Sequence, residues 1–219
     1  MASQLPTVDD LKKYAVTQPG KYEVTRQSLY DFQTYAAAGQ TVLTFFQNPI
    51  GQSGKTRADT NMENAGQLPA GKNFLITSIE IYLFPGVDIG TEGTTIAETE
   101  FANDIYTVAK SGYLDLFVLS KSYLTEAPLG RFPPKTNLKV DAANSLQYSE
   151  ATPSDAERFM ATEYAAFGGR PYFIDPNITL TSNQNFNVTL NWPTAVALPS
   201  GQNARIGVVM DGLLYRFAQ

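Results

Sequence analysis

The chain of 219 residues contains no cysteine and no histidine. Without cysteine it forms no disulfide and offers neither a thiol nucleophile nor a soft-metal ligand. Without histidine it cannot assemble a Ser-His-Asp triad or an imidazole metal site. Charge is also scarce: Asp, Glu, Lys and Arg make up 17% of residues, against roughly 25% in average soluble domains. Asn, Gln, Ser, Thr and Tyr fill the gap, as on polar surfaces that pack against neighbours. No apolar run is long enough to span a bilayer. The opening MASQLPTVDDLKKY lacks the apolar core of a secretory signal, so no signal-directed export is expected. A basic arm is missing too. Lys12, Lys13, Lys21 and Arg26 are interleaved with Asp9, Asp10 and Glu23, and the formal net charge is −5. Binding nucleic acid through counterion release needs clustered cations, so no direct nucleic-acid contact is expected.

What the chain does have is aromatic and β-branched residues in short runs. Residues 1–26 are polar and weakly periodic, with Pro6, Pro19 and Gly20, and read as an extended amino-terminal arm. From Gln27 onward, strand-forming residues dominate. TVLTFFQ (Thr41–Gln47) is the first strong strand candidate, with SLYDFQTY before it as a further one. Then come FLITSIEIYLFPG (Phe74–Gly86), GYLDLFVLS (Gly112–Ser120), SYLTEAPLG and NLKVD (Asn137–Asp141). In Phe74–Gly86, Ile76, Ser78, Glu80 and Tyr82 alternate with Thr77, Ile79, Ile81 and Leu83, which makes one face more apolar at period two. PYFI (Pro171–Ile174) and ITLT (Ile178–Thr181) suggest one bent strand, followed by NFNVTLNW (Asn185–Trp192) and ARIGVVMDGLLYRF (Ala204–Phe217).

Two segments carry helical signals. Thr152-Pro153-Ser154-Asp155 has the logic of a capping box, and Ala156, Phe159, Met160, Tyr164 and Phe167 share a face before Gly168-Gly169. Glu98–Gly112 shows the same spacing at Phe101, Ile105 and Val108. The expectation is a mainly β protein of about eight short strands, a sandwich or barrel with one or two short helices in inter-strand loops. The long connections over 48–73 and 142–170 favour Greek-key or jelly-roll topology over a meander.

No catalytic constellation emerges. GQSGKT (Gly51–Thr56) approaches a phosphate loop, but its glycines are separated by two residues where the motif needs four, so it reads as a turn-rich loop. Asp88, Glu92, Glu98, Glu100 and Asp104 cluster in sequence. They read as a solvated acidic loop before a calcium site or a glycosidase pair. Asn177-Ile-Thr and Asn187-Val-Thr match the glycosylation triplet but read as strand residues. Phe45, Phe46, Tyr82, Phe84, Phe117 and Trp192 sit in apolar strands and are expected in the core or in inter-subunit packing rather than as stacking platforms for sugar or nucleic acid. The chain is therefore read as non-enzymatic, with no catalytic, cofactor-binding or metal residue assigned.

Four stretches carry a resemblance: LYDFQTYAAAGQTVLTFFQNPIGQ, AGQLPAGKNFLITSIEIYLFPG, EAPLGRFPPKTNLKVDAA and SNQNFNVTLNWPTAVALPSGQNARIGVVMDGLLYRF. In texture and order they resemble jelly-roll major capsid proteins of tailless icosahedral bacterial viruses. The resemblance implies a jelly-roll capsid domain over 27–219, a single roll in preference to a compact double one. It implies trimeric or hexameric capsomers, a virion location after synthesis in the host cytoplasm, and contacts with other virion proteins or an internal membrane. It also implies that the arm reaches a neighbouring subunit. The alternatives are a carbohydrate-binding jelly-roll module, a viral spike or vertex protein, and a β-sandwich glycosidase.

Overall fold

The computed structural model describes residues 7–17, 22–86, 100–126, 128–132, 136–140, 163–167 and 171–217. In chain order they form α1 (Val8–Thr17), β1 (Tyr22–Tyr35), β2 (Val42–Phe45), β3 (Asn73–Phe84), α2 (Glu100–Ser111), β4 (Tyr113–Val118) and β5 (Lys121–Glu126). A short 3-10 turn (Leu129–Arg131) leads to β6 (Thr136–Val140), β7 (Glu163–Phe167), β8 (Tyr172–Leu180), β9 (Phe186–Asn191) and β10 (Ala204–Phe217).

Two antiparallel sheets of four strands hold the molecule together, ordered β1-β10-β3-β8 and β2-β9-β4-β5. Strands β6 and β7 form a separate two-stranded sheet. The pairing is nested: β1 lies against β10, β2 against β9, β3 against β8 and β4 against β5. The contacts β10-β3 and β9-β4 then join these pairs into sheets.

Period-two alternation explains why both sheets bury one face. Along β4 and β9 every second residue is buried: Leu114, Leu116 and Val118 in one, Phe186, Val188 and Leu190 in the other. They meet Leu29, Ile79, Ile81, Leu83, Ile206 and Val208 of the first sheet in one continuous cluster. The sheets therefore pack face to face as a sandwich. In β3 the register against β10 shifts between Ile76 and Ser78, which face Gly212 and Asp211, leaving Thr77 as the extra residue. That bulge adds a residue, so Ile76 joins Ile79 and Ile81 in the core although simple alternation sets it on the opposite face.

The helix expected near Glu98–Gly112 is α2. It is anchored by Val108 in the core, whose carbonyl accepts the Trp192 indole N–H at 3.0 Å. Asp104, fully buried, accepts from the Ser200 backbone N–H at 3.0 Å and its hydroxyl at 2.6 Å. Gly112 closes the helix against this site, where a Cβ would lie 2.6 Å from Leu129 and Trp192.

Two expectations are corrected. The helix expected from Thr152 to Phe167 does not reach its end, because Glu163–Phe167 is strand β7, paired with β6 from Thr136↔Phe167 to Val140↔Glu163. Helical spacing is a local signal, and here a partner strand overrides it. Its earlier residues lie outside those described. The extended arm over 1–26 is likewise replaced, where described, by α1 and by the first residues of β1, which pair with β10 from Tyr22↔Phe217 onward. Thr7 and Asp10 form a reciprocal cap, with Asp10 N–H donating to the Thr7 hydroxyl at 3.2 Å and Thr7 N–H to the Asp10 carboxylate at 3.1 Å. Leu11 is then buried against Leu75 and Tyr215, with Val8, Tyr22, Val24 and Leu213 around it. By contrast, the bent strand expected from Pro171 to Thr181 is β8, interrupted by the bulge opposite β3.

Candidate functional site

A sheet edge is a row of unpaired amides and carbonyls, and how each edge is treated shows where a second chain can dock. β1 is the outer strand of its sheet, and the segment after β2 turns back along it. Phe32 N–H donates to the Asp59 carbonyl at 2.7 Å, and Tyr30 N–H to the Asn61 side chain at 3.0 Å. The Asn61 amide in turn donates to the Ser28 carbonyl at 2.7 Å, and the Thr60 hydroxyl to the Tyr30 carbonyl at 3.0 Å. Residues 57–61 thus form a strap along the edge of β1 over Ser28–Phe32.

A buried ion pair fastens this strap. Asp31 is fully buried, and its carboxylate accepts from the Lys55 ammonium and from the Phe46 N–H at 2.6 Å. Burial raises its pKa above the ordinary carboxylate value, with Lys55 and the Phe46 amide pulling the other way. Phe46 adopts φ +68, a left-handed conformation unusual for an aromatic residue. Asp31 on its N–H and Gly66 N–H on its carbonyl at 2.8 Å hold it there. GQSGKT therefore is a turn-rich loop, as expected, with Lys55 directed to Asp31 as a structural cation.

The outer face of the same sheet carries aromatic rings. Phe32 lies over Gly207, where a Cβ would come within 2.1 Å of the ring, and packs 6.1 Å from Tyr82 and 6.0 Å from Phe84. The Arg205 guanidinium stacks on Phe32 at 4.4 Å and bonds Asp59 at 2.8 Å. An open groove beside them is lined by Gln33, Thr34, Phe84 and Asn203. The Tyr82 hydroxyl donates to Glu80 at 3.2 Å, and burial, then the nearby carboxylate, push its pKa up to about 12.

The second sheet presents polar residues outward. Thr44, Thr189, Asp115 and Thr125 stand side by side across all four strands. The Asn191 amide donates to Asp115 at 3.1 Å and to the Thr189 hydroxyl at 2.9 Å. Burial raises the Asp115 pKa, partly offset by Thr125.

Of the acidic stretch, Asp88, Glu92 and Glu98 lie outside the described residues, Glu100 begins α2, and Asp104 is taken up by Ser200. Asp31, Asp59, Glu126 and Asp211 also have partners: Lys55, Arg205, Arg131 and Ser28. Among the described residues no group of three potential metal ligands converges. Asn177 and Asn187 are strand residues of β8 and β9, as read. Of the six aromatics expected in the core or in inter-subunit packing, Phe45, Phe46 and Trp192 lie in the core, while Tyr82, Phe84 and Phe117 are half-buried on outer faces. Alternation alone separates them, since Phe117 falls between buried Leu116 and Val118. The Asp31–Lys55 pair carries no sequence signal, because its partners are 24 residues apart and meet only through the turn at Phe46. No protein-family model and no curated protein matches the chain.

Proposed function

We propose that the two sheets form a single jelly roll and that the chain is a coat subunit of a tailless icosahedral virus, assembling into a shell through trimeric or hexameric capsomers. The observation that carries the reading is the nested strand order. Taking the eight sandwich strands in chain order, the first pairs with the last, the second with the seventh, the third with the sixth and the fourth with the fifth. One long antiparallel hairpin wrapped into two Greek keys has this order, the plan of viral coat and lectin domains. The resemblance of the four sequence stretches to capsid proteins points the same way. So does the structural use of buried Asp31 and Asp104, which serve the strap and α2.

A fold of this kind hosts several functions. One observation favours the glycan-binding alternative: the groove where Phe32 and Arg205 stand beside Gln33 and Asn203, an aromatic surface next to amide groups. Light scattering across a concentration series, with electron microscopy of the same samples, separates the two readings. The coat reading expects discrete trimers, hexamers or closed shells that grow with concentration. A strict monomer that binds a glycan saturably, with binding lost in Phe32→Ala, would replace it.

A further inference from the structure

β1 and β3 end, and β10 begins, at one corner of the first sheet, and their register builds a row there. Thr34 of β1 faces Arg205 of β10, which faces Phe84 of β3. The next row on the same side holds Phe32, Gly207 and Tyr82. Because Gly207 has no side chain, the Phe32 ring settles onto its backbone and Arg205 lies over the ring. Beside this stack runs a groove of about 480 Å³, lined by apolar Phe84 and Pro85 together with polar Thr34, Asn203 and Arg205. That volume falls within the range of roughly 300 to 1,000 Å³ in which small-molecule sites are found.

The polar groups are positioned before any ligand arrives. Gly86 approaches Asn203 so closely that a Cβ would lie 1.8 Å from the Asn203 carbonyl oxygen. The Asn203 side-chain oxygen accepts the Ala37 N–H at 2.8 Å, which leaves the amide nitrogen as the end that can donate to a ligand. Among the described residues neither that nitrogen nor the Thr34 hydroxyl has a hydrogen-bond partner, and both side chains are exposed. Arg205 uses a single nitrogen, Nη2, for the Ala58 carbonyl at 2.6 Å and the Asp59 carboxylate at 2.8 Å, so its other nitrogens still carry N–H groups. We propose that this groove binds an uncharged sugar. A sugar ring offers C–H faces to an aromatic wall, and hydroxyls that accept from an amide, a guanidinium and a hydroxyl set along one edge. Acidic sugars are disfavoured, because the local cation is already paired with Asp59 and the chain carries a formal charge of −5.

The proposal rests on the glycan-binding reading of this groove, names its ligand class, and holds for a subunit in a shell or alone. The full chain, isotope-labelled for NMR, is titrated with lactose, maltotriose, cellotriose and diacetylchitobiose, and with sialyllactose and digalacturonate as acidic probes. At least one uncharged probe is expected to bind saturably with a Kd of about 1 mM and to shift the Asn203 side-chain amide signals. The acidic probes are expected to bind at least about tenfold more weakly. Asn203→Asp keeps the oxygen that holds Ala37 and removes the donor, while Thr34→Val keeps the shape and removes the hydroxyl. Each is expected to weaken binding about tenfold with an unchanged urea midpoint. Failure of every uncharged probe overturns the proposal, and so does undiminished binding by both variants. Binding of the acidic probes alone also overturns it, while keeping a glycan site. Light scattering on the same protein scores assembly separately. Shells without sugar binding leave the coat reading and remove this site, and a strict monomer that binds an uncharged sugar does the reverse.

Discussion

Lys55 and Asp31 show how a single pair can govern a long loop. An ion pair in the interior is expensive to form, but removing one member is worse, because the other is left buried with its charge. Lys55→Met is therefore expected to lower stability by about 3 kcal/mol at neutral pH. The sign of the pH dependence follows from Asp31. Burial raises its folded pKa above 3.8, and without Lys55 that shift grows. The folded variant then keeps a proton that the unfolded chain releases, so stability falls as pH rises past that value. Urea midpoints at neutral and acid pH should show a smaller loss in acid, and an equal loss at both would contradict the assignment. Two tyrosines act at the other end of the scale. Tyr215, buried beneath α1 beside Tyr22, and Tyr82 beside Glu80 both have pKa values pushed from 10 up to about 12. The unfolded chain loses these protons near 10, so their stabilisation is complete below that pH and is lost towards 12. Tyrosinate absorbance and circular dichroism followed together should show a late set of tyrosines ionising as the β signal collapses.

At the scale of elements, α1 is a cover. The first sheet leaves Leu75, Leu213 and Tyr215 on its outer face, and a capped ten-residue helix lies over them through Leu11. An isolated helix this short is marginal in water, so packing of that face holds it. Leu11→Ala is expected to cost about 2 to 4 kcal/mol, measured by denaturant unfolding. A loss under half that size would mean that α1 contributes little to the sheet. The strap over Ser28–Phe32 of β1 and the bulge in β8 serve a related end, since each shortens an edge from which unwanted strand pairing could start.

For the whole molecule, the formal charge of −5 sets the conditions of association. Like-charged copies repel over roughly 10 Å at 0.1 M salt and less at higher ionic strength. Self-association of such copies is therefore expected to strengthen with moderate salt, visible as growth in scattered mass at fixed protein concentration.

Much of the architecture is legible in the residues themselves. Leu114, Leu116 and Val118, and Phe186, Val188 and Leu190, reveal strands with one buried face, because a pleated chain turns alternate side chains to opposite sides. Ile105 and Val108 reveal α2 in the same way, through spacing that places them on one face of a helix. Absent cysteine and histidine exclude whole classes of chemistry before any fold is known. Pairing between distant segments is different, since it depends on which edges are free once the sheets have formed. It turned Glu163–Phe167 into a strand, moved Ile76 to the core side through a bulge, and brought α1 onto its own sheet. It also joined Asp31 to Lys55. Local periodicity records which side of an element faces inward, whereas partners and edges are decided only when remote parts of the chain meet.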